Sequence, residues 1–182
     1  MDLSTTGSMM TDSGTLPSSA LRFTMGCMIK HYTDLDEQLA VGSHPHAPEH
    51  MMALARQHGV TSVLCLQSDE DLSSRGIQWP VLWQFYMRLG IDVTRVPITD
   101  FDKKDLLTHL DTAVAALNDA VLGGGKVYVH CSAGLNRSPT VIIAYLVKHR
   151  GLGLEEAVTW ISEKHRCVPY PDVLEAWIQR AS

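Results

Sequence analysis

The chain has 182 residues, 45% of them hydrophobic and 19% charged, which suits one folded domain with a full apolar core. A net charge of −5 argues against the basic face of a nucleic-acid binder. Cys27, Cys65, Cys131 and Cys167 lack CxxC spacing and a secretory context, so a reduced, cytoplasmic setting is expected. No apolar run approaches membrane-span length, so no membrane partner is expected.

Residues 1–20 are rich in Ser, Thr and Met without apolar periodicity and read as a disordered tail, leaving 21–182 as the folded domain. Hydroxyl-rich starts also occur in transit peptides, which makes a plastid the alternative location if this end belongs to a targeting segment. Gln38–Gly42 reads as a short strand, and Pro48–His58 as a helix with Pro at its start and Gly59 beyond its end. Val60–Leu66 has strand length. Trp79–Leu89 is apolar at helical spacing and stops at Gly90, so Trp79, Trp83, Phe85 and Tyr86 are expected in the core. Ile91–Val96 follows as a strand, then Leu106–Leu122 as a helix striped by Leu107, Leu110, Val114, Leu117 and Val121. Gly123-Gly124-Gly125 releases the chain into a Lys126–His130 strand, and helices follow over Thr140–His149, Leu154–His165 and Val173–Arg180. Strands separated by helices indicate an α/β domain, a central mixed sheet flanked by helices, with active loops at the strands' carboxyl ends.

The chemistry is concentrated in one run, Val127-Tyr128-Val129-His130-Cys131-Ser132-Ala133-Gly134-Leu135-Asn136-Arg137-Ser138-Pro139. A strand enters His-Cys, five residues separate Cys131 from Arg137, and Ser138-Pro139 opens an apolar helix. Backbone N–H groups of Ser132, Ala133, Gly134, Leu135 and Asn136 would face a helix N-terminus, where the dipole favours an anion. Arg137 adds a planar fork suited to two phosphate oxygens. The same field favours a thiolate on Cys131, which makes that sulfur a nucleophile beneath a bound phosphoryl group. Ser138 carries a hydroxyl beside it that would help expel the sulfur in a second step.

This run resembles the signature loop of cysteine-dependent phosphatases of the dual-specificity branch. The resemblance implies a phosphomonoesterase of that fold, acting without metal or cofactor through a cysteinyl-phosphate intermediate. It also implies a general acid about thirty residues upstream. Asp100, in Pro97-Ile98-Thr99-Asp100-Phe101-Asp102-Lys103-Lys104-Asp105, holds that place. Asp102 is its competitor, and Asp105 reads as a helix-start residue. His130 would sit beneath the loop and bond its backbone. Cys65 ends a strand that this fold sets beside the Cys131 strand, so it is either a core thiol or a reversible disulfide partner of Cys131.

Across residues 38–170 the chain most resembles the plant and algal starch-excess-type phosphoglucan phosphatases, relatives of laforin. Val41-Gly42-Ser43 with Pro48-Glu49, then Cys65 to Leu72, Asp100-Phe101-Asp102 with Asp105-Leu106, and His165 to Pro169 carry the likeness. Ser73-Ser74-Arg75 stands where that family places aromatics, and Asn136 where it places Gly. No carbohydrate-binding module or glucan-gripping extension follows. Phe101 remains, able to stack on a sugar or a tyrosine ring. The expected partner is a phosphorylated substrate, glucan or protein, met by a monomer. A phosphate-binding module without catalysis is the rival, but such modules usually lack the cysteine, the arginine or the acid. His44, His46 and His50 lack an acidic or Cys partner and, with Pro45 and Pro48 between them, helical ligand spacing, so no metal is expected.

Overall fold

A computed structural model of the chain describes residues 31–181; the expected tail at 1–20 and Cys27 lie outside them. Five strands form one sheet: β1 (Thr33–Asp34), β2 (Leu39–Gly42), β3 (Val60–Gln67), β4 (Asp92–Ile98) and β5 (Lys126–His130). Their order is β1-β2-β5-β3-β4. β1 is antiparallel to β2, and every other pairing is parallel. The sheet is therefore mixed only at its edge. β5 lies in the middle, so Cys131 leaves the most enclosed strand at its carboxyl end.

The helices are α1 (Pro48–Arg56), α2 (Asp69–Ser73), α3 (Trp79–Arg88), α4 (Lys103–Leu122), α5 (Arg137–Arg150), α6 (Leu154–Ser162) and α7 (Pro171–Ala181). Side chains alternate across each strand, so β2, β3 and β5 feed two cores. Leu39, Val41, Leu64, Leu66, Val127 and Val129 face the larger one, built with α4 to α7. Ala40, Val63 and Tyr128 face the smaller one, under α1 and α3. In α4 the buried stripe includes Leu106, fully enclosed, whereas Leu107 is only partly covered. α5 is buried almost all round from Arg137 to Leu146, and each enclosed large apolar side chain contributes about 1.5–3 kcal/mol.

Three sequence expectations change. α4 starts at Lys103, three residues early, because Asp102 caps it by accepting from Lys104 N and Asp105 N, each at 2.9 Å. α2 was not expected. Ser68 and Asp71 form its capping box, a signal that lies in the sequence but is not followed by a long apolar run. In α3 only Tyr86 is buried, and Trp83 is 43% exposed beside Val81 and Met87. Among the described residues this face of the sheet carries two helices, and one side of an apolar helix is exposed.

The end of β2 shapes the floor of the site. Gly42 pairs with His130, and a Cβ there would lie 2.5 Å from Tyr128 Oη and 2.8 Å from His31 O. Tyr128 Oη is not free to retreat, since it donates to Ser43 O at 2.6 Å. Gly42→Ala should lower stability by about 1–3 kcal/mol, the ordinary range for overpacking. A lower urea midpoint at unchanged slope would register it.

Candidate active site

The loop from Cys131 to Asn136 turns between β5 and α5, which begins at Arg137 with no side-chain cap on its first N–H groups. Gly134 has φ +77°, and a Cβ on it would run into the Gly42 backbone, so glycine lets the loop rest on β2. Loop carbonyls are drawn outward by donors from other elements. His44 Nδ1 lies 2.9 Å from Ser132 O, His165 Nε2 2.8 Å from Gly134 O, and Val168 N donates to Leu135 O at 2.7 Å. Turning those carbonyls out leaves the loop's N–H groups available to an anion, as in backbone nests.

Cys131 Sγ is buried and receives two hydrogen bonds, from Gly134 N at 3.3 Å and Ser138 Oγ at 3.4 Å. Both donors are directed at the sulfur. His130 sits beneath the loop with Nδ1 3.1 Å from Cys131 O. Burial pushes its imidazole down to about 4, so it is neutral near neutral pH.

Arg137 is 1% exposed and almost wholly tethered. Nη1 donates to Asp71 Oδ2 at 2.7 Å, Ile98 O at 2.6 Å and Leu66 O at 3.4 Å. Nη2 meets Ser132 Oγ at 3.2 Å and Asp100 Oδ2 at 3.0 Å. Nε has no partner among the described residues, although it is buried. With Nη1 anchored, the Nε–Nη2 edge is the one suited to two oxygens of a phosphate.

Asp100 is brought to the site by the turn after β4, and its other oxygen accepts from Phe101 N at 3.2 Å. Asp102 is committed to capping α4. Asp105 Oδ2 accepts from Thr99 N at 2.7 Å, tying the acid loop to the helix behind it. Phe101, next to Asp100, is 78% exposed at φ +61°, a left-handed conformation that costs a bulky residue energy. Cys65 pairs with His130 across the β3–β5 ladder, next to the catalytic loop. It is fully enclosed, and burial pushes its thiol up to about 12.

Asp71 is the functional residue the sequence reading missed. Its carboxylate accepts from Arg137 and from Ser132 Oγ at 2.7 Å, and also from Ser68 N at 3.0 Å. Burial opposes its charge, but those donors prevail and hold its pKa down at about 2. The signal was the Ser68-to-Asp71 capping box at the end of a strand. The three histidines are instead linked by hydrogen bonds. His46 Nδ1 lies 2.8 Å from His44 Nε2, and His46 N donates to His50 Nδ1 at 3.1 Å. Among the described residues no group of three His, Cys, Asp or Glu side chains is arranged to hold a metal.

Residues 42–174 match the family model for the dual specificity phosphatase catalytic domain, and the chain belongs to that family. The phosphoglucan phosphatase DSP4, amyloplastic, of Castanea sativa is 34% identical over 148 residues, covering 80% of this chain and 39% of that protein. Dual specificity phosphatase 28 of Mus musculus is 41% identical over 90 residues, covering 50% of this chain and 54% of its own length. The chain thus spans well under two thirds of either relative. The crystal structure of Tk-PTP in the active form overlays with TM-score 0.64 at 29% identity, covering 82% of this chain and 97% of that one.

Asp71→Asn removes the buried counter-charge of Arg137. It should cost about 3 kcal/mol of stability and at least tenfold in kcat/KM. Because the folded pKa lies below the ordinary 3.8, Asp71 stabilises fully above about pH 4, and this is lost as pH falls towards about 2. The gap between parent and variant in urea unfolding should therefore close across that window.

Proposed function

We propose that the chain hydrolyses phosphomonoesters through a cysteinyl-phosphate intermediate. The observation that carries this reading is Arg137, anchored through Nη1 so that its remaining edge meets the cleft that holds Cys131 and Asp100. In the first step Cys131 Sγ attacks phosphorus and the bond to the leaving oxygen breaks. Protonated Asp100 gives its proton to that oxygen. Asp100, now a carboxylate, then takes a proton from water as the water oxygen bonds phosphorus. The S–P bond breaks, the electron pair returns to Cys131, and the Ser138 hydroxyl stabilises the departing thiolate. Asp100 Oδ2 lies 3.0 Å from Arg137 Nη2, so a phosphate that engages Nη2 must displace it.

Cys131→Ser should abolish turnover of an aryl phosphate, since a serine hydroxyl is not ionised at neutral pH. Asp100→Asn should slow poor leaving groups strongly and p-nitrophenyl phosphate little, and should remove one limb of the pH–rate profile. The same effects in Asp102→Asn but not Asp100→Asn would move the acid, against its role as the cap of α4.

For the substrate we propose a phosphoglucan. Likeness to a phosphoglucan phosphatase over 80% of the chain and the outward Phe101 ring support it. A phosphoprotein is the second reading. It is favoured by the exposed, non-aromatic Ser73-Ser74-Arg75 and by Asn136, whose Nδ2 donates to Val168 O at 2.8 Å beside the cleft. Phosphate release from phosphorylated amylopectin, a phosphotyrosine peptide and a phosphothreonine peptide separates the two. Phe101→Ala should reduce the glucan rate roughly fivefold, the scale of one lost ring contact, with a smaller effect on p-nitrophenyl phosphate. A parent with no glucan turnover, whose Phe101→Ala variant loses peptide activity, would assign the domain to phosphoproteins.

A further inference from the structure

The chain between β2 and α1 brings two neighbouring imidazoles to the phosphate loop. Gly42 ends β2 beside His130, and Pro45 restricts the preceding His44 to extended backbone. His44 is 5% exposed and meets one loop atom twice. Its backbone N donates to Ser132 O at 3.3 Å, and its Nδ1 lies 2.9 Å from the same oxygen. A carbonyl can only accept, so Nδ1 carries the ring proton. The exposed His46 places its own Nδ1 2.8 Å from His44 Nε2. With one proton on a neutral ring, His44 Nε2 holds a lone pair, and His46 Nδ1 is the donor. Burial pushes the His44 imidazole below the ordinary histidine value, so the neutral ring is the form present near neutral pH.

A trans peptide sets its N–H opposite its carbonyl, so holding Ser132 O toward His44 turns Ala133 N–H the other way. The next amide along, Gly134 N, faces Cys131 Sγ at 3.3 Å. The other two outward carbonyls have donors of their own, His165 for Gly134 O and Val168 N for Leu135 O. The Ser132–Ala133 peptide, next to the nucleophile, therefore depends on His44. The Ser132 side chain is fixed separately, its Oγ donating to Asp71 Oδ1 at 2.7 Å. The titratable and charged groups that face His44 are His46 on its own segment, Asp71 on α2, Arg75 just after α2 and His130 on β5.

We infer that His44 is a positioning residue: its Nδ1–H, kept on that nitrogen by the bond His46 makes to Nε2, aims the Ala133 N–H at a bound phosphoryl group. This rests on the phosphomonoesterase reading and deepens it, since a side chain outside the Cys131-to-Arg137 run then orients one of that run's donors. His44 acts through Ser132 and not on the phosphate itself. An amide aimed before the substrate arrives needs no reorganisation as charge develops on the phosphoryl oxygens.

The test compares the 182-residue parent with His44→Leu, which removes the donor, and His44→Asn, whose Nδ2 can take the place of Nδ1. Each is measured for its dissociation constant with tungstate, a tetrahedral dianion, and for kcat and KM on p-nitrophenyl phosphate. His44→Leu should weaken tungstate about tenfold and lower kcat/KM about tenfold, with kcat falling as well as KM rising, while His44→Asn stays within about threefold of the parent. Unchanged binding and turnover in His44→Leu would overturn the inference. Equal losses in the two variants would do the same, because they would reduce the ring to packing. Ring nitrogen NMR of the parent near neutral pH gives a second readout that needs neither turnover nor a folded variant. It should show His44 protonated at Nδ1 and bare at Nε2, with the Nδ1 resonance moved by tungstate. A proton on Nε2 instead, or a ring indifferent to tungstate, overturns the inference. A parent that passes this readout yet hydrolyses no phosphomonoester overturns the phosphatase reading and leaves the positioning role standing.

Discussion

A guanidinium 1% exposed inside an apolar domain must have its charge answered, and the way Arg137 is answered organises this molecule. Removing such an ion from water costs several kcal/mol unless partners surround it. Those partners come from four segments: the carbonyl of Leu66 at the end of β3, the carbonyl of Ile98 at the end of β4, Asp71 on α2, and Ser132 in the loop itself. One buried cation therefore brings the carboxyl ends of three strands to a common point. It also accounts for α2, a helix of five residues whose capping box places Asp71 against the arginine.

The tethering has a direction. Nη1 is spent on Asp71 and on strand-end carbonyls, Nη2 is shared with Asp100, and Nε has no partner among the described residues. The loop follows the same logic in its backbone, with His44, His165 and Val168 drawing carbonyls away from the cleft. Both devices present donors to one small volume, with Cys131 Sγ at its base. Burial keeps His130 neutral, so it supports the loop as a hydrogen-bonding group near neutral pH. The three histidines near the start of α1 extend the same scaffold, the first as a clasp on the loop and the other two as its neighbours.

Among the described residues the two faces of the sheet are unequally covered. The larger core, under α4 to α7, packs Cys131, α5 and, partly buried, Tyr170. The smaller one is covered by α1 and α3, and Trp83, Val81 and Met87 remain at the surface.

The alternation of strands and helices, the loop from Cys131 to Arg137 and the placing of Asp100 31 residues before Cys131 are all legible in the sequence. These are local properties: periodicity, glycine and proline punctuation, and a motif whose chemistry depends on spacing along the chain. It also contained Ser138 beside the sulfur, because the turn into α5 forces that proximity. Only the tertiary structure showed that Asp102 caps α4 while Asp100 meets Arg137, although both occupy one loop. It alone identified Asp71, which lies 66 positions from Arg137 and reaches the site through packing. It also reversed the burial of Trp83, because helical spacing defines an apolar stripe but not whether a neighbour exists to cover it. Long-range partners of a buried charge leave no periodic trace in a chain, and those are the contacts that make this site.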